Sequence, residues 1–184
     1  MKTQKQEGTV AILGRWQPVH LGHQAAVQAL CERFENVLVG IGSTNVHDYR
    51  NPFSLAEVTE MLRLSLAAYS NYMLVAIPDM RADPEWRRMA IETFANSSLL
   101  VTANPYVKSL LADRFSISRP VDFIPQTRKI PVTATMVRKE MARGGDWQSL
   151  VPAEIAAFIL QNRLDRRFRS EFGLHTLAME TIIV

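Results

Sequence analysis

The stretch Gly14-Arg15-Trp16-Gln17-Pro18-Val19-His20-Leu21-Gly22-His23 is the most informative in the chain. It follows the short apolar run Thr9 to Leu13. It precedes Ala26, Val27, Leu30 and Phe34, which recur at helix spacing. A turn of this kind, between an apolar run and a helix, opens a strand–helix–strand unit. His20 and His23 are three apart and can share one helix face. Gly22 between them leaves room for a ligand close to the backbone. The open amides of a helix start favour an anion, and Arg15 with two imidazole donors adds to that. The stretch reads as a phosphate site at a strand-to-helix turn. Metal ligation by the histidine pair wants a third ligand. His47, Asp48 and Asp79 are scattered, so no metal site is assigned.

Outward from this turn, apolar runs alternate with helical patterns. Further strands are predicted at Val37 to Ile41, Tyr72 to Ile77 and Ser98 to Thr102, with a weaker fifth at Val121 to Ile124. Ser54 begins a helix that reaches towards Tyr69, and Glu57 three residues on completes a capping box. Pro84 and Pro105 sit where helices start, and Ile155, Phe158 and Ile159 mark another after Pro152. Strands alternating with helices predict an α/β fold, a doubly wound parallel sheet with helices on both faces. Ligands of such sheets bind at the carboxyl ends of the strands. That directs attention to the residues after Leu13, Gly42, Pro78 and Thr102.

Length and composition agree. At about 150 residues per domain, 184 residues make one domain with a small appendage. Residues 1–161 are taken as the domain. Residues 162–184 are a C-terminal helical extension, part of the same domain or an oligomer contact. Hydrophobic residues are 47% and charged residues 21%, which excludes wholesale disorder. A net charge of +3 is too small to argue for nucleic acid. The single cysteine, Cys31, excludes an intrachain disulfide framework and reads as a small core residue. No apolar run suits a signal peptide or a membrane span, so a cytoplasmic location is expected. Arg163, Arg166, Arg167 and Arg169, interleaved with Leu164 and Phe168, read as the solvated face of a helix rather than a nucleic-acid patch.

The His20-Leu21-Gly22-His23 segment resembles the H-x-G-H signature of the nucleotidyltransferase superfamily. Thr133-Ala134-Thr135-Met136-Val137-Arg138 matches that superfamily's second motif, Ser/Thr-x-Thr-x-x-Arg, in type and in position. Gly14 to His20 is similar to the G-R-x-Q-P-x-H form of archaeal-type nicotinamide mononucleotide adenylyltransferases. So are Gly42-Ser43 followed by His47, Arg50 and Asn51-Pro52-Phe53, Asp79 with Trp86 seven residues later, Asn104, and Gly145-Asp146-Trp147 to Pro152. The resemblance covers about Thr9 to Gln161. The sequence departs from the pattern at Ala103, where the family has Gly, and at Asp83, where it usually has Asn. Its loop after Gly42-Ser43 is also a residue shorter than is common.

The resemblance implies adenylyl transfer from ATP to nicotinamide mononucleotide, giving NAD and pyrophosphate, with Mg²⁺ carried by ATP. The nucleophilic phosphate has its second pKa at about 6 and needs no general base. The task is alignment and charge neutralisation. His20, His23, Arg15 and Arg138 are therefore assigned to catalysis. Gly14, Gln17, Gly22, Asn104, Thr133 and Thr135 join them in holding ATP. Gly42, Ser43, His47, Arg50, Asp79, Asp83 and Trp86 are assigned to the mononucleotide. Asp83 is expected to contact the carboxamide and to repel a carboxylate in its place, and Trp86 to stack on the nicotinamide ring. Plainer readings stand beside these: Trp86 as core, Arg50 and His47 as loop residues, Arg138 as a salt-bridged surface cation. The resemblance also implies a homo-oligomer, with a hexamer as one form. Rival functions are another nucleotidyltransferase (flavin, pantetheine or cytidylyl type), a non-catalytic nucleotide sensor on the same fold, and a nucleic-acid module using the C-terminal arginines.

Overall fold

The computed structural model describes residues 5–181; the ends of both termini, including the last three residues of the C-terminal extension, lie outside the described residues. Contacts divide the chain into two compact units. One comprises Met1–Arg15, Ala25–Asn45 and Ala68–Lys129, and the other Trp16–Gln24, Val46–Ala67 and Ile130–Val184.

The first unit holds the sheet. Strands β1 (Gln6–Gly14), β2 (Phe34–Gly42), β3 (Tyr72–Ile77), β4 (Ser97–Val101) and β5 (Ser116–Ser118) are all parallel, in the order β3-β2-β1-β4-β5. Strand β1 is central, and its apolar run Val10 to Leu13 is buried throughout. A strand covered on both faces needs such a run rather than an alternating one. Ala11 and Leu13 join Ile77 and Leu100 in a core with Trp86, Ala90 and Phe94 of helix α3 (Asp83–Thr93) and Val107 and Leu111 of helix α4 (Pro105–Leu111). The pleat turns Val10 and Ile12 to the opposite face. Helix α1 (Leu21–Arg33) links β1 to its parallel neighbour β2, with Ala26, Val27, Leu30 and Cys31 buried. The strand order reverses between β1 and β4, the switch point at which ligands of doubly wound sheets bind.

The fifth strand lies earlier than expected. Val121 to Ile124 is not a strand; Pro120–Asp122 forms a 3₁₀ turn. Pro120 fixes φ at the turn's first position, and Asp122 accepts from the Arg119 amide and guanidinium. The short Ser116–Ser118 edge pairs with β4 in its place. Phe34 also belongs to β2 rather than to the helix before it.

The second unit is helical. Helix α2 (Leu55–Ser65) carries the expected capping box, with the Ser54 hydroxyl accepting from the Glu57 amide and the Glu57 carboxylate from the Ser54 amide. It ends short of Tyr69. Helix α5 (Ala134–Arg143) is capped by the Thr133 hydroxyl, which accepts from the Met136 amide. It closes on Gly144 at φ 72°, where glycine carries no Cβ penalty. Helices α6 (Ala153–Gln161) and α7 (Leu164–Thr181) follow. Among the described residues no helix is long and apolar enough to cross a membrane.

Candidate active site

The Trp16–Gln24 segment is held from several sides. Trp16 is buried at φ 59°, a costly conformation for a bulky residue that survives only when its surroundings impose it. Its indole lies 4.8 Å from the His23 ring. The Gln17–Pro18 bond is cis. Gln17 is buried, and its side chain exchanges two hydrogen bonds with the Phe53 backbone. Its amide nitrogen donates to the carbonyl at 2.9 Å, and its amide oxygen accepts from the N–H at 2.9 Å. The family resemblance implies that Gln17 is among the ATP ligands. In the fold its amide braces the Asn51-Pro52-Phe53 loop.

His20 opens α1. Its Nδ1 accepts from the His23 backbone N–H at 3.3 Å, so the ring caps the helix. An acceptor Nδ1 assigns the proton to Nε2, which is left to donate. The two imidazoles stack with centroids 3.6 Å apart. Burial, and then the Arg138 cation, lower the His20 pKa to about 4. Burial and the neighbouring His20 hold His23 well below the usual histidine range, with the Pro18 carbonyl opposing. Both rings are therefore neutral donors at pH 7 in the free protein. The buried Nδ1 of His23 has no hydrogen-bond partner of good geometry, the kind of exception that points to a ligand. A Cβ on Gly22 would come within 3.2 Å of the His20 ring and of the Val132 carbonyl.

Arg138 reaches this turn from α5. It is 7% exposed; it donates to the Gln17 carbonyl at 2.6 Å and to the Thr135 hydroxyl at 3.4 Å. The surface salt-bridge reading of Arg138 does not describe such a residue. Thr133 and Thr135 are exposed at the start of α5, where open amides favour an anion. Two helix starts, two neutral imidazoles and a buried guanidinium come together within the second unit, a set of donors of the kind that suits an anion.

The other candidates divide between the units. In the first, Gly14 ends β1, exposed Arg15 follows it, and Asn104 follows β4, on the two sides of the switch point. Asn104 caps α4 by accepting from the Tyr106 amide. Gly42 ends β2, and Ser43 after it, at φ 56°, donates to Asp79. Asn45 exchanges hydrogen bonds with the Asp79 backbone, closing a clasp between the ends of β2 and β3. Asp83 starts α3 and accepts from the Tyr106 hydroxyl. Trp86 is 8% exposed and packs in the core named above, so little of its ring remains for stacking on a ligand. In the second unit, His47 lies 3.4 Å from Glu171 and Arg50 sits over the Tyr49 ring. Asp48 shapes this loop by accepting from the amides of Arg50 and Asn51.

Relatives bear on what this cluster belongs to. A family model described as cytidylyltransferase-like matches residues 11–140. A nicotinamide-nucleotide adenylyltransferase of Thermococcus onnurineus is 33% identical over 151 residues, which cover 80% of this chain and 79% of that one. This chain belongs to the nicotinamide-nucleotide adenylyltransferase family. The relative from Pyrococcus furiosus is 31% identical over 163 residues, 85% of each chain. The Tyr106 contact with Asp83 and the Gln17 contact with Phe53 join residues remote in sequence, so spacing within one motif gives no sign of them. Among solved structures, a bifunctional NMN adenylyltransferase/ADP ribose pyrophosphatase from Francisella tularensis, complexed with AMP and a manganese ion, superposes with a TM-score of 0.65. At 16% identity that likeness speaks to fold alone. It covers 92% of this chain, which spans about half (54%) of that longer protein.

Proposed function

We propose that this chain transfers the adenylyl group of ATP to the phosphate of nicotinamide mononucleotide, forming NAD and releasing pyrophosphate. The observation that carries the reading is the His20–His23–Arg138 cluster at two helix starts. It is a set of donors with no nucleophile among them, which is what transfer to an already ionised phosphate requires. His20 and His23 donate to phosphate oxygens, with His23 nearest the α-phosphate in the transition state. Arg138 and Thr135 hold the β- and γ-phosphates, and Thr133 supports them from the helix start. Arg15 bridges phosphates with a planar fork that lysine lacks. Gly14, Gly22 and Asn104 shape the nucleotide's surroundings, and Gln17 serves by holding the turn. For the mononucleotide, Arg50 and His47 are assigned to its phosphate. Gly42, Ser43 and Asp79 line the strand ends, and Asp83 and the edge of Trp86 read the nicotinamide.

Mg²⁺, carried on the triphosphate by phosphate oxygens and water, supplies charge neutralisation when bound. Neutral imidazoles that donate through N–H suit phosphate oxygens beside such an ion, and among the described residues no three His, Cys, Asp or Glu side chains group to hold a metal. A cytoplasmic location and a homo-oligomeric state belong to the same reading.

The test is product analysis after incubation with ATP, Mg²⁺ and nicotinamide mononucleotide. Equal amounts of dinucleotide and pyrophosphate, abolished by chelation of the metal, are expected. ATP binding with neither product contradicts the reading.

A further inference from the structure

The C-terminal helix α7 grips the segment from His47 to Glu57. Arg167, Phe168, Glu171, Phe172 and His175 recur along one face of α7. Glu171 meets His47 at 3.4 Å, the Phe172 ring meets the His47 ring edge-on at 5.1 Å, and His175 stacks on Tyr49 at 4.4 Å. Arg167 does more. Its Nη1 donates to Glu57 Oε1 at 2.6 Å, while its Nη2 donates to Glu57 Oε2 at 2.7 Å and to the Pro52 carbonyl at 3.0 Å. Its buried Nε is left without a partner, so the guanidinium is placed for these acceptors at some cost. The sequence reading had made Arg167 part of a solvated face. Of the four arginines there, Arg163, Arg166 and Arg169 are exposed and fit it, although Arg169 also donates to the Met141 carbonyl, whereas Arg167 is half-buried and turned to the protein.

These bonds continue. Glu57 is also the capping residue of α2 and accepts from the Ser54 amide at 2.8 Å. Phe53, next to Pro52, is locked to the Gln17 side chain by two bonds. The Gln17 carbonyl accepts from Arg138. Every link from Arg167 to Arg138 is a hydrogen bond or an adjacent peptide within the second unit. We propose that Arg167 is a positioning residue for the anion-binding cluster: by joining Glu57 to the Pro52 carbonyl it fixes the backbone that clamps Gln17, and so seats Arg138 beside His20. Its effect on turnover rests on the adenylyl-transfer reading; its effect on the seat of Arg138 does not. A fork is needed because a carboxylate and a carbonyl must be met at once, which an ammonium at a single point does less well.

Two variants and two readouts test this. Arg167→Lys keeps the charge facing Glu57 but cannot present the same fork; Arg167→Met removes the charge as well. With both substrates saturating, turnover falls about tenfold in each, because small displacements of catalytic groups are costly. The KM for the mononucleotide stays within about twofold. The second readout needs no activity. Displacement of Arg138 raises the His20 pKa, followed by imidazole NMR in the free protein, by at least half a unit in Arg167→Lys. If Arg167→Met does not fold, Arg167→Lys carries both measurements. Wild-type turnover or an unshifted His20 in folded Arg167→Lys overturns the proposal. A wild-type protein that makes no dinucleotide overturns the function instead, while the His20 shift still decides the role of Arg167.

Discussion

His20 does three things with one ring. It caps α1 through Nδ1, it stacks on His23, and it is left with Nε2–H as its donor. Burial, and then the Arg138 cation that a protonated ring would face, lower its pKa to about 4. Asp83 is the other residue where one choice carries consequence. Where the family usually has Asn, a carboxylate here accepts from the Tyr106 hydroxyl, so its position is fixed. A carboxylate accepts from a carboxamide and repels another carboxylate. With Asp83 in the proposed role, efficiency with nicotinamide mononucleotide is expected to exceed that with nicotinate mononucleotide by about tenfold or more, since a like-charge contact costs at least about a kilocalorie. Asp83→Asn narrows the ratio. Equal kcat/KM for the two substrates in the wild-type protein counts against Asp83 as the discriminating group.

At the scale of elements, the β1-turn-α1 unit depends on Gly22. A methyl there would press on the His20 ring and the Val132 carbonyl at 3.2 Å, tighter than ordinary contact, and the ring is the part able to move. Gly22→Ala is expected to lower turnover about tenfold while the protein remains folded, because a displaced donor loses transition-state contact. Turnover within twofold of wild type would show that the turn absorbs the methyl. This unit was legible in the sequence because its signals are local: a buried strand's apolar run, a glycine between two histidines, a periodic helix. The Ser54–Glu57 box was legible for the same reason. The fifth strand was not. Ser116–Ser118 is a short, mostly polar edge without alternation, and the apolar Val121 to Ile124 outscored it by pattern. Long-range partners were hidden too. Nothing near Gln17 announces Phe53, and nothing near Arg167 announces Glu57, because those pairings exist only once the chain is folded. Trp86 shows the limit of residue type as a guide: an aromatic expected to stack on a ligand is also a core residue of α3.

For the whole molecule, the sheet order β3-β2-β1-β4-β5 places the turn after β1 at the point where doubly wound sheets open. The proposed transfer uses donors and cations, with no residue assigned as base or nucleophile. In that proposal, neutral histidines and a buried arginine carry the transfer. The most direct test is the pH dependence of kcat/KM for ATP, with Mg²⁺ and nicotinamide mononucleotide saturating. That quantity reports ionisations of the enzyme form that meets ATP. With His20 titrating near pH 4 and His23 well below the usual range, both are already neutral above pH 7. The profile should be flat from about pH 7 to 9, because no essential group of the cluster changes charge there. A limb with an apparent pKa between 7 and 8.5, removed by substituting His20 or His23, would contradict the account by showing that a titrating imidazole is required.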